Sequence, residues 1–174
     1  MRKDRHMYSK MLSGVVVAVV FVAGVVYAQR SGSSLTSQDL VEIQQLYARY
    51  NHAIDSGVAD GMVWARTFTA DGEFPAGKAT GHKALAEFAK GFHAKSPTMR
   101  HWNTNLMITP APGGASGSVY LLLVDAGGEG KPPTIRTAAT YIDDLVKTSE
   151  GWRFKKRTIV PGSTMPEPRS LTSQ

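Results

Sequence analysis

The stretch RHWNTNLMIT, residues 100–109, is the point at which the sequence changes from helical to strand-like spacing. Before it, apolar residues recur every three or four positions, as on one face of a helix. After it, apolar runs are separated by connectors rich in glycine and proline, as in antiparallel hairpins. Helices that precede a run of strands are typical of an α+β domain. His101 lies at the start of the stretch, where an imidazole can project into an apolar cavity and exchange protons near neutral pH.

The part of the chain before residue 98 predicts three helices and one brief strand. Ser37 is the expected N-cap of the first helix. Gly57 is expected to end that helix, because glycine tolerates a left-handed turn. Residues 69–72 are expected to form a turn, followed by a strand at residues 73–74. The predicted helices cover about residues 38–55, 59–68 and 81–94.

The part that follows predicts four long strands, at about residues 100–109, 117–125, 134–147 and 152–160. In the last strand, Trp152 and Phe154 alternate with basic residues, as expected for a half-buried strand with its charges in solvent. These outward charges are expected at Arg153, Lys155, Lys156 and Arg157. We therefore expect one domain at residues 38–160, preceded by a polar lead-in at residues 29–37 and followed by a flexible tail at residues 161–174.

The N-terminus has the pattern of a secretory signal peptide at residues 1–28. A basic segment precedes an apolar run from Met11 to Val26, and small residues then precede Gln29. Cleavage there predicts a periplasmic or secreted protein without a stable membrane span. The alternative is an uncleaved N-terminal membrane anchor, for which a run of 16 residues is short against the roughly 20 that a span needs.

Composition restricts the remaining chemistry. The leader carries four basic residues and one acidic residue, so its removal lowers the formal charge from +6 to about +3. That small excess favours no nucleic-acid partner. The chain has no cysteine, so it has no disulfide, thiol nucleophile or thiolate metal site. Neither an H-E-x-x-H motif nor a glycine-rich nucleotide-binding motif occurs, and we expect no metal and no cofactor.

Four segments in order resemble the SnoaL-like branch of the nuclear transport factor 2-like superfamily, which also includes scytalone dehydratase and ketosteroid isomerase. The segments are IQQLYARY with AIDSG (residues 43–50 and 53–57), FTADGEF (68–74), RH (100–101), and YIDDLVK with GWRF (141–147 and 151–154). The resemblance implies a cone-shaped α+β barrel, in which three N-terminal helices pack on a curved, mostly antiparallel sheet. A pocket is then expected at the wide end of the cone.

The resemblance also implies a catalytic pair. In the family, the acid that ends the first helix and the histidine after the third helix point into the pocket, and Asp55 and His101 occupy those positions. A carboxylate can fix the tautomer of an imidazole and stabilise its cation, which suits a cofactor-independent dehydratase, isomerase or cyclase. The alternative is a hydrogen bond of purely structural value. Residues 118–124 lack the second histidine that scytalone dehydratase has on this strand.

The expected ligand is a small hydrophobic molecule, cyclic or polyketide-like, in an apolar pocket. Two other uses of the same fold stay open: a ligand-binding module without catalysis, and a dimerisation module that uses the outer sheet face. A homodimer is compatible with all three. Asp143 is expected either at the pocket mouth near His101 or at a solvated strand end. The residues expected to contact substrate are Tyr50, Trp64, Phe68, Trp102, Tyr120 and Tyr141.

Overall fold

The computed structural model describes residues 34–164. The predicted signal peptide with its cleavage site, most of the predicted lead-in, and the tail from residue 165 lie outside the described residues. The described residues from Leu35 onward belong to one compact unit. In this part of the chain no helix is long and apolar enough to cross a membrane.

The first helix, α1, covers Ser37–Ser56 and begins with a capping box. Thr36 is its N-cap: the Asp39 backbone N–H donates to Thr36 Oγ1 at 3.1 Å, and the Thr36 N–H donates to Asp39 Oδ2 at 2.9 Å. The predicted N-cap, Ser37, was therefore wrong by one residue, because Asp39 stands three positions after Thr36 and can return its hydrogen bond. Gly57 ends the helix at φ 62°, as predicted.

The predicted second helix is shorter than expected. A 3₁₀ turn at Val58–Gly61 leads into the single-turn helix α2, Met62–Ala65. The prediction was wrong for residues 69–72, because they are part of strand β1, Phe68–Phe74. Strand β1 pairs in parallel with the last strand of the sheet at Phe68 and Glu73, and the register shifts between these two residues, so residues 69–72 form an irregular part of the strand.

A second 3₁₀ turn at Pro75–Gly77 and the two-residue strand β2, Ala79–Thr80, connect β1 to helix α3, Gly81–Lys95. Four long strands follow: β3 (Met99–Ala111), β4 (Gly114–Asp125), β5 (Thr134–Thr148) and β6 (Gly151–Pro161). Each lies within three residues of its predicted bounds.

Within residues 34–164 the strands form one six-stranded sheet in the order β2-β1-β6-β5-β4-β3. All neighbouring pairs are antiparallel except β1 with β6. The sheet is curved but unclosed, with the three helices packed on it. The predicted α+β class and the mostly antiparallel sheet are confirmed. Because the sheet does not close, β3 is an edge strand that lies beside α1.

Two of the register shifts in the sheet, in β3 and in β6, change which side chains face the cleft and the core. In β3, Asn105 and Leu106 lie opposite Val119 alone, and Asn105 adopts φ 57°. In β6, Lys156 pairs with Asp144 and Phe154 pairs with Leu145, so Lys155 is the extra residue. An extra residue inverts the alternation that follows it.

The bulge in β6 places Arg157 in the core. The prediction that Arg157 points outward was wrong, because Arg157 and Asp143 are both fully buried. Arg157 donates from Nε and Nη2 to the two carboxylate oxygens of Asp143, each at 2.8 Å. Asp143 therefore lies in the core. Both expected positions for it, the pocket mouth near His101 and a solvated strand end, were wrong. The Tyr47 hydroxyl also donates to Asp143.

Aromatic rings enclose this ion pair. The Arg157 guanidinium carbon lies 4.0–4.1 Å from the ring centroids of Tyr50, Tyr141 and Phe154. Such cation–π contacts offset part of the cost of removing the guanidinium from water. Burial alone would lower the pKa of Arg157, but the Asp143 carboxylate outweighs burial and raises the pKa above its ordinary value. The Arg157 guanidinium therefore stays charged in the core.

Candidate functional site

Asp55 and His101 form a two-point contact between α1 and β3. The His101 backbone N–H donates to Asp55 Oδ2 at 3.0 Å. The His101 ring Nδ1 lies 2.6 Å from Asp55 Oδ1. One carboxylate thus holds both the strand and the ring, and the orientation of the imidazole is fixed. Asp55 and His101 are 46 positions apart in the sequence, and the fold brings them into direct contact.

This geometry selects the tautomer of the neutral ring. A carboxylate accepts hydrogen bonds and does not donate them, so Nδ1 carries the proton that points at Asp55. Nε2 then keeps its lone pair and can accept a proton. The same logic holds in catalytic triads, where an acid orients the histidine that acts as base. The pair can therefore take up a proton at Nε2 and hold the resulting cation beside Asp55.

The local sequence explains how both residues reach this place. Asp55 lies in the last turn of α1, immediately before Ser56 and the left-handed Gly57. A carboxylate at a helix C-terminus is disfavoured by the helix dipole, and residues that break a local preference are typical of functional sites. His101 lies two residues into β3 and pairs with Leu123 of β4. The Phe92 ring, from α3, packs 5.6 Å from the imidazole.

The pair faces a cleft of about 790 Å³ between α1, β3 and one residue of β4. One wall of the cleft is a face of α1, whose lining residues recur every three or four positions. Strand β3 forms the opposite wall. This cleft lies within the size range of small-molecule sites. Its lining consists of Gln44, Tyr47, Ala48, Asn51, His52, Asp55, Ser56, Arg100, His101, Trp102, Asn103, Thr104, Asn105, Leu106 and Val119.

The lining is more polar than the apolar pocket expected from the sequence, because polar side chains, four of them amides, outnumber apolar ones among the lining residues. Asn103 Nδ2 donates to Asn51 Oδ1 at 3.4 Å. Asn103 Oδ1 is buried and has no hydrogen-bond partner among the described residues. Asn105 lines the cleft from the bulge in β3. A ligand that fits here needs polar groups as well as an apolar body, since buried amides left unpaired cost free energy.

Tyr47 connects this cleft to the core. Its ring lines the cleft, and its hydroxyl donates to Asp143. Burial and the neighbouring Asp143 charge raise the pKa of Tyr47 well above its ordinary value. The hydroxyl therefore stays protonated and acts as a fixed donor toward the ion pair.

The six residues expected to contact substrate do not converge on the cleft. Trp102 borders it, but Trp102 alternates with His101 in β3, so its side chain lies on the opposite sheet face and is 55% exposed. Tyr120 is 38% exposed. It pairs with Thr104, which alternates with His101 and Asn103 along β3, so Tyr120 lies on the sheet face opposite to His101. The other four are buried in the core and do not line the cleft: Tyr50, Trp64, Phe68 and Tyr141.

Sequence reasoning missed Asn51, Asn103 and Asn105. The spacing contained a signal for the first two, because Asn51 lies one helical turn before Asp55 and Asn103 lies two strand positions after His101. Each therefore shares a face with one member of the pair. The position of Asn105 at the cleft depends on the bulge in β3, and no local sequence pattern predicts that bulge.

Among residues 34–164, no group of three or more His, Asp or Glu side chains is arranged to hold a metal ion.

Comparisons with known proteins agree with this fold. The model of the SnoaL-like domain family matches residues 36–158. No protein of curated function matches the chain significantly. A variant of Rv3472 from Mycobacterium tuberculosis, described as a protein of unknown function, is 29% identical with a TM-score of 0.64, and the match covers 80% of this chain and 83% of that one.

Two further solved structures are similar. A protein from Catenulispora acidiphila, in complex with S-DNPA, is 25% identical with a TM-score of 0.63 and coverage of 79% and 100%. An NTF2-like protein with a cystatin-like fold from Novosphingobium aromaticivorans is 21% identical with a TM-score of 0.65 and coverage of 79% and 90%. The chain belongs to the SnoaL-like domain family, and its fold is similar to that of NTF2-like proteins.

Proposed function

We propose that the protein binds a small cyclic or polyketide-like molecule in the cleft between α1 and β3 and acts on it as a cofactor-independent acid/base enzyme of lyase, isomerase or cyclase type. The observation that carries the proposal is the carboxylate–imidazole pair, Asp55 and His101, at the wall of a cleft of ligand size. The protein from Catenulispora acidiphila, whose structure contains S-DNPA, supports ligand binding by this fold.

In the proposed reaction, His101 Nε2 removes a proton from a carbon or oxygen of the substrate and returns it to another atom. Asp55 stabilises the imidazolium that exists between the two transfers. The Asn51 side chain accepts a hydrogen bond from Asn103 through its oxygen, which leaves its amide nitrogen to donate to a substrate oxygen. Such a donor favours the negative charge that develops when a carbon next to a carbonyl is deprotonated.

Hydrogen–deuterium exchange tests this proposal without knowledge of the full reaction. A base that removes a proton from carbon also exchanges it with solvent, so hydroxylated aromatic ketones incubated with the protein in D₂O are expected to gain deuterium, measured by mass spectrometry. His101→Ala and Asp55→Asn are expected to lose at least about a hundredfold in rate, the lower end of the contribution of a general base. The matched control is His82→Gln, since His82 lies outside this cleft.

The rival function, ligand binding without catalysis, makes a different prediction for the same experiment. It predicts that a ketone shifts the melting temperature of the protein while the exchange rate stays that of buffer, in the wild type and in His101→Ala alike. That outcome would overturn the catalytic part of the proposal and leave the binding part.

Export and dimerisation complete the proposal. Cleavage before Gln29 predicts that N-terminal sequencing of the protein isolated from its own cell envelope or medium starts near that residue.

The outer sheet face carries Trp102 and Tyr120, both exposed, and such apolar side chains fit a two-fold interface. Sedimentation of the wild type as a dimer and of Tyr120→Lys as a monomer would support this arrangement, and a monomeric wild type would contradict it.

A further inference from the structure

A second cleft, of about 380 Å³, lies on the other side of α1. Its walls come from α1, from the short turns at residues 58–67, and from the start of β6. His52 and Ser56 of α1 line this cleft and the first one, so the two clefts share one edge of the helix. The acid/base pair, Asp55 and His101, does not line the second cleft.

Three arginines from three elements line this second cleft: Arg49 of α1, Arg66 after α2, and Arg153 of β6. Within residues 34–164 no Asp or Glu lines it. Arg153 has one ion pair, at 3.3 Å to Glu150, whose side chain is 82% exposed. Neither Arg49 nor Arg66 has a carboxylate partner in the described part of the chain. The cleft therefore has an excess of positive charge that an anion would balance.

The floor of this cleft is apolar. Val58 and Val63 line it and are 47% and 45% exposed, although both are large hydrophobic side chains. Leu46 and Ala53 of α1 also line it and are buried. Exposed apolar surface beside three guanidinium groups, two of which have no carboxylate partner in the described part of the chain, matches a ligand with a hydrophobic body and an anionic head.

We propose that this cleft is a binding site for a small amphipathic organic anion, whose carboxylate or phosphate head contacts Arg49, Arg66 and Arg153 and whose apolar body covers Val58 and Val63. Guanidinium groups suit both heads, because their planar donors pair with two oxygens at once. This inference goes beyond the proposed function and does not depend on it, since it requires neither Asp55 nor His101.

Calorimetry with four probes of equal chain length tests the chemistry of the ligand. Octanoate and octyl phosphate are expected to bind to the full chain, and octanol and octylammonium are expected to bind at least about tenfold more weakly, because charged hydrogen bonds and charge balance are lost. Comparison of octanoate with octyl phosphate identifies the preferred head group. Equal binding of octanol and octanoate would overturn the proposal.

Variants locate the site. Arg66→Gln is expected to weaken octanoate binding about fivefold or more, and Val63→Thr, which keeps the shape of the side chain but adds a hydroxyl, is expected to weaken it several-fold. Both side chains are exposed, so the fold should tolerate the changes. The matched control is Arg136→Gln, which removes the same charge at an exposed position outside this cleft and is expected to leave octanoate affinity unchanged.

Amide chemical shifts provide the second readout. Octanoate is expected to shift the backbone N–H signals of Val58, Val63 and Thr67, and to leave those of Asn103 and Asn105 in place. Shifts confined to Asn103 and Asn105 would put the anion in the first cleft and overturn the proposal, as would equal losses of affinity in Arg66→Gln and Arg136→Gln.

Discussion

Two buried or half-buried carboxylates decide the chemistry of this molecule at the level of single residues. Asp55 holds an imidazole at the edge of a cleft, and Asp143 holds a guanidinium in the core. The first pair could be predicted from the sequence, because both residues stand at positions implied by the family resemblance. The second could not, because the side chain of Arg157 turns inward only after the bulge at Lys155.

The core pair should be fragile toward single changes and tolerant of a double one. Asp143→Asn leaves a buried guanidinium without its counter-charge, so we expect the free energy of unfolding to fall by about 3–5 kcal/mol. The double variant Asp143→Leu with Arg157→Met removes both charges and should recover most of that loss. Urea denaturation monitored by circular dichroism measures both. A loss below about 1 kcal/mol in the single variant would mean that the pair behaves like a surface ion pair.

At the level of elements, sequence patterns located α1, α3 and the four long strands but missed the features that depend on pairing. Strand β1 has the residues of a turn, and its hydrogen bonds to β6 exist only in the folded sheet. The bulges at Asn105 and Lys155 are likewise set by the neighbouring strands. For that reason the amide wall of the cleft and the burial of Arg157 could not be read from local spacing.

Asp39 joins the start of α1 to the β5–β6 hairpin and should give the domain an acid-sensitive contact. It accepts from Lys147 Nζ at 2.7 Å and from Trp152 Nε1 at 2.9 Å. The hydrogen bond from Lys147, with those from Thr36 and Trp152, holds the pKa of Asp39 well below its ordinary value of 3.8. A lowered pKa means that this stabilisation is present above pH 3.8 and is lost as the pH falls below it.

We therefore expect Asp39→Asn to lower the melting temperature at pH 7, where the wild-type carboxylate is charged. The gap between the two proteins should narrow as the pH falls from about 4 to 2, because protonation removes the same charge from the wild type. Melting temperatures measured along this pH series check the sign. Glu87→Gln is a suitable control, since Glu87 is exposed on α3 and makes none of the ion pairs found in the described residues. A gap that widens in acid would contradict the role given to Asp39.

At the level of the whole molecule, the open sheet explains where ligands can approach. The interior around Tyr50 is filled by aromatic side chains and the Arg157–Asp143 pair. Both clefts instead flank α1, one against the edge strand β3 and the other against α2 and β6. The family resemblance predicted the fold correctly, and Asp55 and His101 lie in contact at the positions that it implied. Of the six residues that the sequence led us to expect at the substrate, four lie in the core. Because side chains fill the interior, the clefts that a ligand can enter lie at the sides of helix α1.

Helix α1 and strand β3 hold His101 with Nδ1 protonated toward Asp55, which leaves Nε2 to accept a proton. Imidazole ¹⁵N chemical shifts distinguish the two neutral tautomers and can be measured on the intact protein, with the assignment made by comparison with His101→Ala. We expect the neutral His101 ring to be almost entirely the Nδ1–H tautomer in the wild type, and we expect Asp55→Asn to shift it toward a mixture. A wild-type ring protonated mainly at Nε2 would show that Asp55 does not fix the tautomer of His101.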